Sequence, residues 1–224
     1  MNFLSHFYFD RNNANAYEVL GAVLPDLLKN ANKSWTPHPE KHQELFKNHP
    51  IHTDLLRGWK KHLEVDNLFH NSDFFKHHQH QIKLCLKDNL IGSPVKPFFL
   101  GHVSLELMLD SLLITKELIN VKSFYKHLNQ VDITEVISFL KLCQIPDINQ
   151  FLHFFTIFKK EEYLYSYAQT EKITYALKRI CMRIWENPFT QEQEIALTKS
   201  LLNYKDGLSE EFIFIFETID AQLD

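Results

Sequence analysis

At 224 residues, 45% of them hydrophobic and 23% charged, the chain is long enough to bury a sizeable core and has an ordinary globular balance. A formal net charge of −4 supplies no global basic field, which argues against a nucleic-acid partner. Only 5 glycines and 8 prolines argue against a turn-rich β architecture.

The first segment, MNFLSHFYFDRNN, lacks the basic start and long apolar run of a signal peptide. Within it, residues 3–9 are ambiguous: the alternation suits a strand and the length suits a turn or two of helix. Ala14 to Lys29 reads as a helix with Leu20, Val23, Leu24, Leu27 and Leu28 on one stripe. Residues 30–50 are polar, carry three prolines and read as a long loop with room for a short helix. The histidine-rich part of that loop, 38–52, is read either as a lid or as solvated surface.

The helical period returns from Ile51 to about His70, and Ser72 to Leu86 is a further candidate helix. Gly92, Pro94 and Pro97 mark a connection before a helix from near Phe98 to Glu117. Asp132 with Glu135, Asp147 with Gln150, and Thr190 with Gln193 have the spacing of capping boxes. Residues 161–185 read as one long amphipathic helix, and Ser209 with two following glutamates as the start of the last. No apolar run reaches the length expected of a bilayer span. Cys85, Cys143 and Cys181 lack CxxC spacing and suit reduced thiols, so a cytoplasmic location is expected. The expectation is all-α: a single-domain helical bundle over 1–224, its motifs in 1–115 and its helices from 120 to 224 completing the bundle.

Chemistry concentrates in two stretches. In HLEVDNLFH, His62, Asp66 and His70 fall every fourth residue; in HVSLELMLD, so do His102, Glu106 and Asp110. Four residues advance an α-helix by ~400°, so each set forms a ridge whose members differ by only ~40°. The second ridge lies in a segment apolar almost all round, so it belongs in the interior. An unpartnered buried carboxylate costs several kcal/mol, and a divalent metal supplies the compensating charge compactly. Imidazole with carboxylate suits zinc, manganese or iron, and further oxygen ligands suit magnesium. Of the 13 histidines, most are expected at the surface, His77, His78 and His80 among them. Taken singly, His6 reads as a hydrogen-bonded core histidine and Asp26 as a helix-end residue.

Four segments taken in order resemble the acyl carrier protein phosphodiesterases, metal-dependent enzymes often grouped with HD phosphohydrolases. MNFLSHFYF resembles that family's opening, with His6. GAVLPDLL places Asp26 on its aspartate. GWKKHLEVD has its Gly-x3-His-x3-Asp spacing, with His62 and Asp66. LELMLDSLL resembles its LDxMxDHFL segment, with Glu106 and Asp110. The match covers the first half of the chain well and the second half loosely, where ALKRICMR resembles a helix ending in arginine and offers Arg183 as a phosphate ligand. Departures are His70 and Glu106 in place of aspartates, Ser111 in place of histidine, and His102 without counterpart. FFLGHVSLELMLD and VLPDLL also resemble segments of zinc-dependent phospholipase C-like hydrolases.

The resemblance implies a helical fold, a helix at residues 3–9, and hydrolysis of the bond joining phosphopantetheine to serine in holo-acyl carrier protein. The implied metal shell is His6, Asp26, His62, Asp66, Glu106 and Asp110, extended by His70 and His102, with Asp66, His62 and Asp110 as the catalytic set. The implied cofactor is a divalent cation, manganese first, with magnesium, zinc or iron as alternatives. Lys29, Lys60 and Lys61 flank the motifs and read first as solvated, with contact to phosphate or an acidic carrier protein as the alternative. Two rival readings are a metal-dependent hydrolase of a small phosphoester or nucleotide, and a non-enzymatic helical interaction protein. A di-iron bundle is disfavoured, because paired Glu-x-x-His motifs are absent.

Overall fold

The segment that is apolar on nearly every side, Pro97–Thr115, becomes the central helix, α5, in a computed structural model that describes residues 1–223. The chain forms α1 (Phe3–Tyr8), α2 (Ala16–Ala31), α3 (Pro50–Asn71), α4 (Asp73–Leu86), α5, α6 (Val121–Gln130) and α7 (Ile133–Leu142). It continues through α8 (Ile148–Glu161), α9 (Thr170–Cys181), α10 (Gln191–Leu208) and α11 (Ile213–Asp220). There is no strand among the described residues, so the all-α expectation holds. α5 packs against α1, α4, α9, α10 and the 3-10 turn Tyr163–Ala168. One buried apolar cluster includes residues of every helix from α1 to α11.

By length and composition alone α5 is apolar enough to cross a bilayer, contrary to the reading of the sequence, and most of it is buried inside the bundle.

Two glycines set how closely α2 and α3 approach. A Cβ on Gly21 would collide with the Leu55 carbonyl, and one on Gly58 with the Glu18 carbonyl. The two backbones therefore touch, which no larger residue permits. Asn15 starts α2 by accepting from the amides of Tyr17 and Glu18. Ser72 turns the chain between α3 and α4: its hydroxyl donates to the Phe69 carbonyl and accepts from the Phe75 amide.

α1 has only six residues, too few to persist alone. Its N-terminal amides are satisfied from another helix. Asp110 of α5 accepts from the Leu4 amide at 3.2 Å, the Ser5 amide at 2.7 Å and the Ser5 hydroxyl at 2.6 Å. A carboxylate at a helix N-terminus is favoured by the exposed N–H groups and the dipole.

Residues 30–50 contain two short 3-10 turns, Pro39–Lys41 and Gln43–Leu45, which fits a loop with a short helix in it. Several other expectations need correction. The stretch 161–185 is not one helix. Glu162 adopts a left-handed conformation (φ 43°), ends α8 and leads into the 3-10 turn before α9. Ser209 closes α10 instead of opening the last helix, which begins at Ile213. Thr190 and Gln193 form a full capping box. Asp132 and Asp147 cap their helices without reciprocation, for the Glu135 side chain faces His49 and that of Gln150 reaches the Ala31 carbonyl. His78, expected at the surface, is buried and hydrogen-bonded to the Tyr204 hydroxyl at 2.8 Å.

Candidate metal centre

The contact between α2 and α3 fixes the first histidine. His62 is buried, and its Nδ1 lies 2.9 Å from the Ala22 carbonyl of α2. A carbonyl only accepts, so Nδ1 carries the proton and Nε2 of the neutral ring presents a lone pair. That lone pair lies 3.6 Å from Oδ2 of Asp66. His70 repeats the arrangement one ridge position beyond: Nδ1 donates to the Asp66 backbone carbonyl at 2.8 Å, and Nε2 lies 3.4 Å from Oε1 of Glu106. An imidazole tied to a carbonyl through one nitrogen, with the other turned toward a carboxylate, has the posture in which a metal-bound histidine is held. Here it occurs twice.

His6 of α1 stacks on His62, with ring centroids 3.9 Å apart. Its Nε2 is 3.3 Å from Oδ1 of Asp66, and neither ring nitrogen has a well-formed hydrogen bond. From α5, His102 brings Nε2 to 3.1 Å from Oε1 of Glu106. The donors thus gather in two trios, His6–His62–Asp66 and His70–His102–Glu106, each with its ligand atoms within 4.8 Å of one another. His70 joins them, its Nδ1 lying 3.9 Å from Oδ1 of Asp66.

Electrostatics sharpens the picture. Burial drives His6 and His62 down to about 4, so both are neutral near pH 7. Burial also pushes the Asp66 carboxyl upward. The His6 contact, the Met1 ammonium and the neighbouring imidazoles outweigh it and hold the group well below the ordinary carboxylate range. Glu106 behaves alike: burial is outweighed by the Met1 ammonium, His102 and His70. The Met1 α-amino group is the cation that meets both acids, 2.5 Å from Asp66 Oδ1 and 3.3 Å from Glu106 Oε1. Burial alone would lower its pKa, but Glu106, Asp66 and Asp26 raise it to about 11.

The donor set fits a divalent metal. Two ligands ~2.1 Å from a four-coordinate ion stand roughly 3.4 Å apart, and the histidine-to-carboxylate separations above run from 3.1 to 3.6 Å. The Met1 ammonium meets the two carboxylates and makes no hydrogen bond to the imidazoles among the described residues.

The other expected residues are placed differently. Asp110 stands outside both trios: its two oxygens are taken by the start of α1, and burial raises its carboxyl to about 7. The ligand and catalytic role expected for it gives way to a capping role in this geometry. Asp26 is also outside the trios, yet lines the same cavity as Met1 and Glu106, and burial raises it to about 6. That cavity, about 540 Å³, is bounded by Arg179 and Arg183 on the far side. Arg183 donates to the Asn30 side chain and the Lys29 carbonyl, which ties it to the end of α2. Arg179 was not singled out by sequence reasoning; among the described residues its guanidinium makes no hydrogen bond or ion pair. Its place four residues before Arg183 was the available signal. Lys60 bonds to Gln43 and Lys61 to the buried Asp10, on another face.

No protein-family model, no curated protein and no solved structure matches this chain.

Proposed function

We propose that the protein is a metal-dependent phosphoester hydrolase, and that an acyl carrier protein carrying phosphopantetheine is the first substrate to test. The observation that carries this reading is the pair His62 and His70: each gives its Nδ1 proton to a backbone carbonyl and turns Nε2 toward a carboxylate. His6, His62 and Asp66, with His70, His102 and Glu106, would hold the metal. A divalent ion in such a site lowers the pKa of bound water and stabilises charge developing on phosphoryl oxygens.

The chain's own residues complete the proposed site. Arg179 and Arg183 line the cavity that reaches Glu106, and guanidinium forks suit phosphate oxygens. At about 540 Å³ that cavity has the size of a small-molecule site. Asp26, raised to about 6 within it, populates both protonation states near neutrality and is placed to pass a proton to a leaving oxygen. Asp110 supports the site indirectly, by anchoring the helix that carries His6.

Assaying holo-acyl carrier protein and a panel of phosphomonoesters and nucleotides with manganese, magnesium and zinc tests the reading. Turnover that requires added metal and is lost in Asp66→Asn supports it. Chelator-insensitive turnover, or none with any substrate in protein shown to hold metal, counts against it.

A second reading rests on the Met1 ammonium, which already pairs with Asp66 and Glu106. In that case the cluster is a buried ionic network in a non-enzymatic helical protein. Its signature is a folded chain whose metal content is unchanged by His62→Ala.

A further inference from the structure

A second group of metal-ligating side chains lies away from the candidate centre, where the first turns of α3 and α7 meet. His49 precedes α3, His52 sits in its first turn, and Glu135 is the third residue of α7. The two imidazoles stack with centroids 3.9 Å apart and planes 19° from parallel. Their Nε2 atoms lie 3.3 Å and 3.7 Å from the same Glu135 oxygen, Oε2. All three ligand atoms fall within 4.8 Å of one another.

His52 is 3% exposed, walled by the rings of Phe46 and Phe139, and its Nε2 has no hydrogen-bond partner. An unpaired polar atom in such a place costs free energy unless something unseen satisfies it. Glu135 has the spacing to close a capping box on Asp132, yet its carboxylate turns to the histidines, and the Asp132 amide bonds the Tyr17 hydroxyl instead. Two imidazoles and one carboxylate form a His2Glu donor set, which zinc takes with a water or further ligand in the fourth position.

We propose that His49, His52 and Glu135 form a zinc site that fastens the start of α3, and the long connection before it, to α7. The site is independent of the proposed activity: it shares no residue with the two trios. Zinc holds the two helix ends through the donors that hydrogen bonding leaves unused.

The test counts zinc by mass spectrometry in protein that is stripped with chelator, loaded with zinc and desalted. In a His62→Ala/Asp66→Asn/His102→Ala/Glu106→Gln background, which removes donors from both trios of the first centre, about one zinc per chain is expected. Both His49→Ala and Glu135→Gln remove it. His49 is 44% exposed, so its variant keeps the fold, and cobalt substitution gives visible absorption that disappears in the same two variants. Should the background variant fail to fold by circular dichroism, wild-type protein and His49→Ala are compared directly, and the variant retains about one zinc fewer. Equal zinc with and without His49 and Glu135, or a folded background variant that retains none, overturns the proposal. Failure of the first centre reads out separately, as zinc content unchanged by His62→Ala.

Discussion

The two polar ridges look alike in sequence and are used differently in space. On α3, His62, Asp66 and His70 all turn to one centre, with His62 and His70 standing about 12 Å apart along the axis by helical rise. Asp66 between them meets donors from both sides. On α5 the ridge divides. His102 and Glu106 join the centre, while Asp110, one turn further, reaches α1 and closes its open amides. Equal spacing therefore does not imply equal roles. What decides is the element that packs opposite each turn.

Substitutions along the ridges should separate these roles. The largest effect is expected from Asp66→Asn, which keeps the shape and removes the charge shared by the centre. Metal-dependent hydrolysis should fall more than about a hundredfold while circular dichroism stays native. Asp110→Ala should do the reverse. Leaving two buried α1 amides unpaired costs about 2–4 kcal/mol in chemical denaturation, and any metal retained by the folded fraction should be unchanged. A loss of metal in Asp110→Ala without loss of stability would contradict the division drawn here.

Gly58→Ala tests the floor beneath the α3 ridge. Its methyl group would meet the Glu18 carbonyl, so α2 and α3 must part, at about 1–3 kcal/mol. The His62 to Ala22 hydrogen bond should loosen with them and metal affinity should weaken. Native affinity in this variant would show that the close helix contact is incidental to the site. Arg179→Ala is expected to have the smallest effect. The residue is exposed, so stability should hold, and a several-fold rise in KM for a phosphoester is the readout. An unchanged KM would remove Arg179 from substrate binding.

Much of this was legible in the sequence, for identifiable reasons. α3 and α5 are long, and the every-fourth-residue spacing of their polar side chains shows which of them share a face. α1 was ambiguous because six residues support neither period, and its stability comes from Asp110, about a hundred positions away. The break between α8 and α9 was hidden because Glu162 takes a left-handed conformation that its residue type does not announce. His78 was misread although the signal existed: with Phe75, Ile82 and Leu86 it lies on the buried stripe of α4. Glu135 carried a capping signal that was real in spacing, and its side chain is occupied elsewhere. The division of the α5 ridge was not legible, since no local pattern tells which helix will pack against Asp110.

Metal content of the wild-type protein bears on the centre most directly. Protein purified without chelator, or loaded with manganese or zinc and desalted, should retain at least about one equivalent at the α3–α5 centre, and His62→Ala should lose it. A natively folded wild-type chain that takes up none, or a His62→Ala variant that retains as much as wild type, would contradict the account.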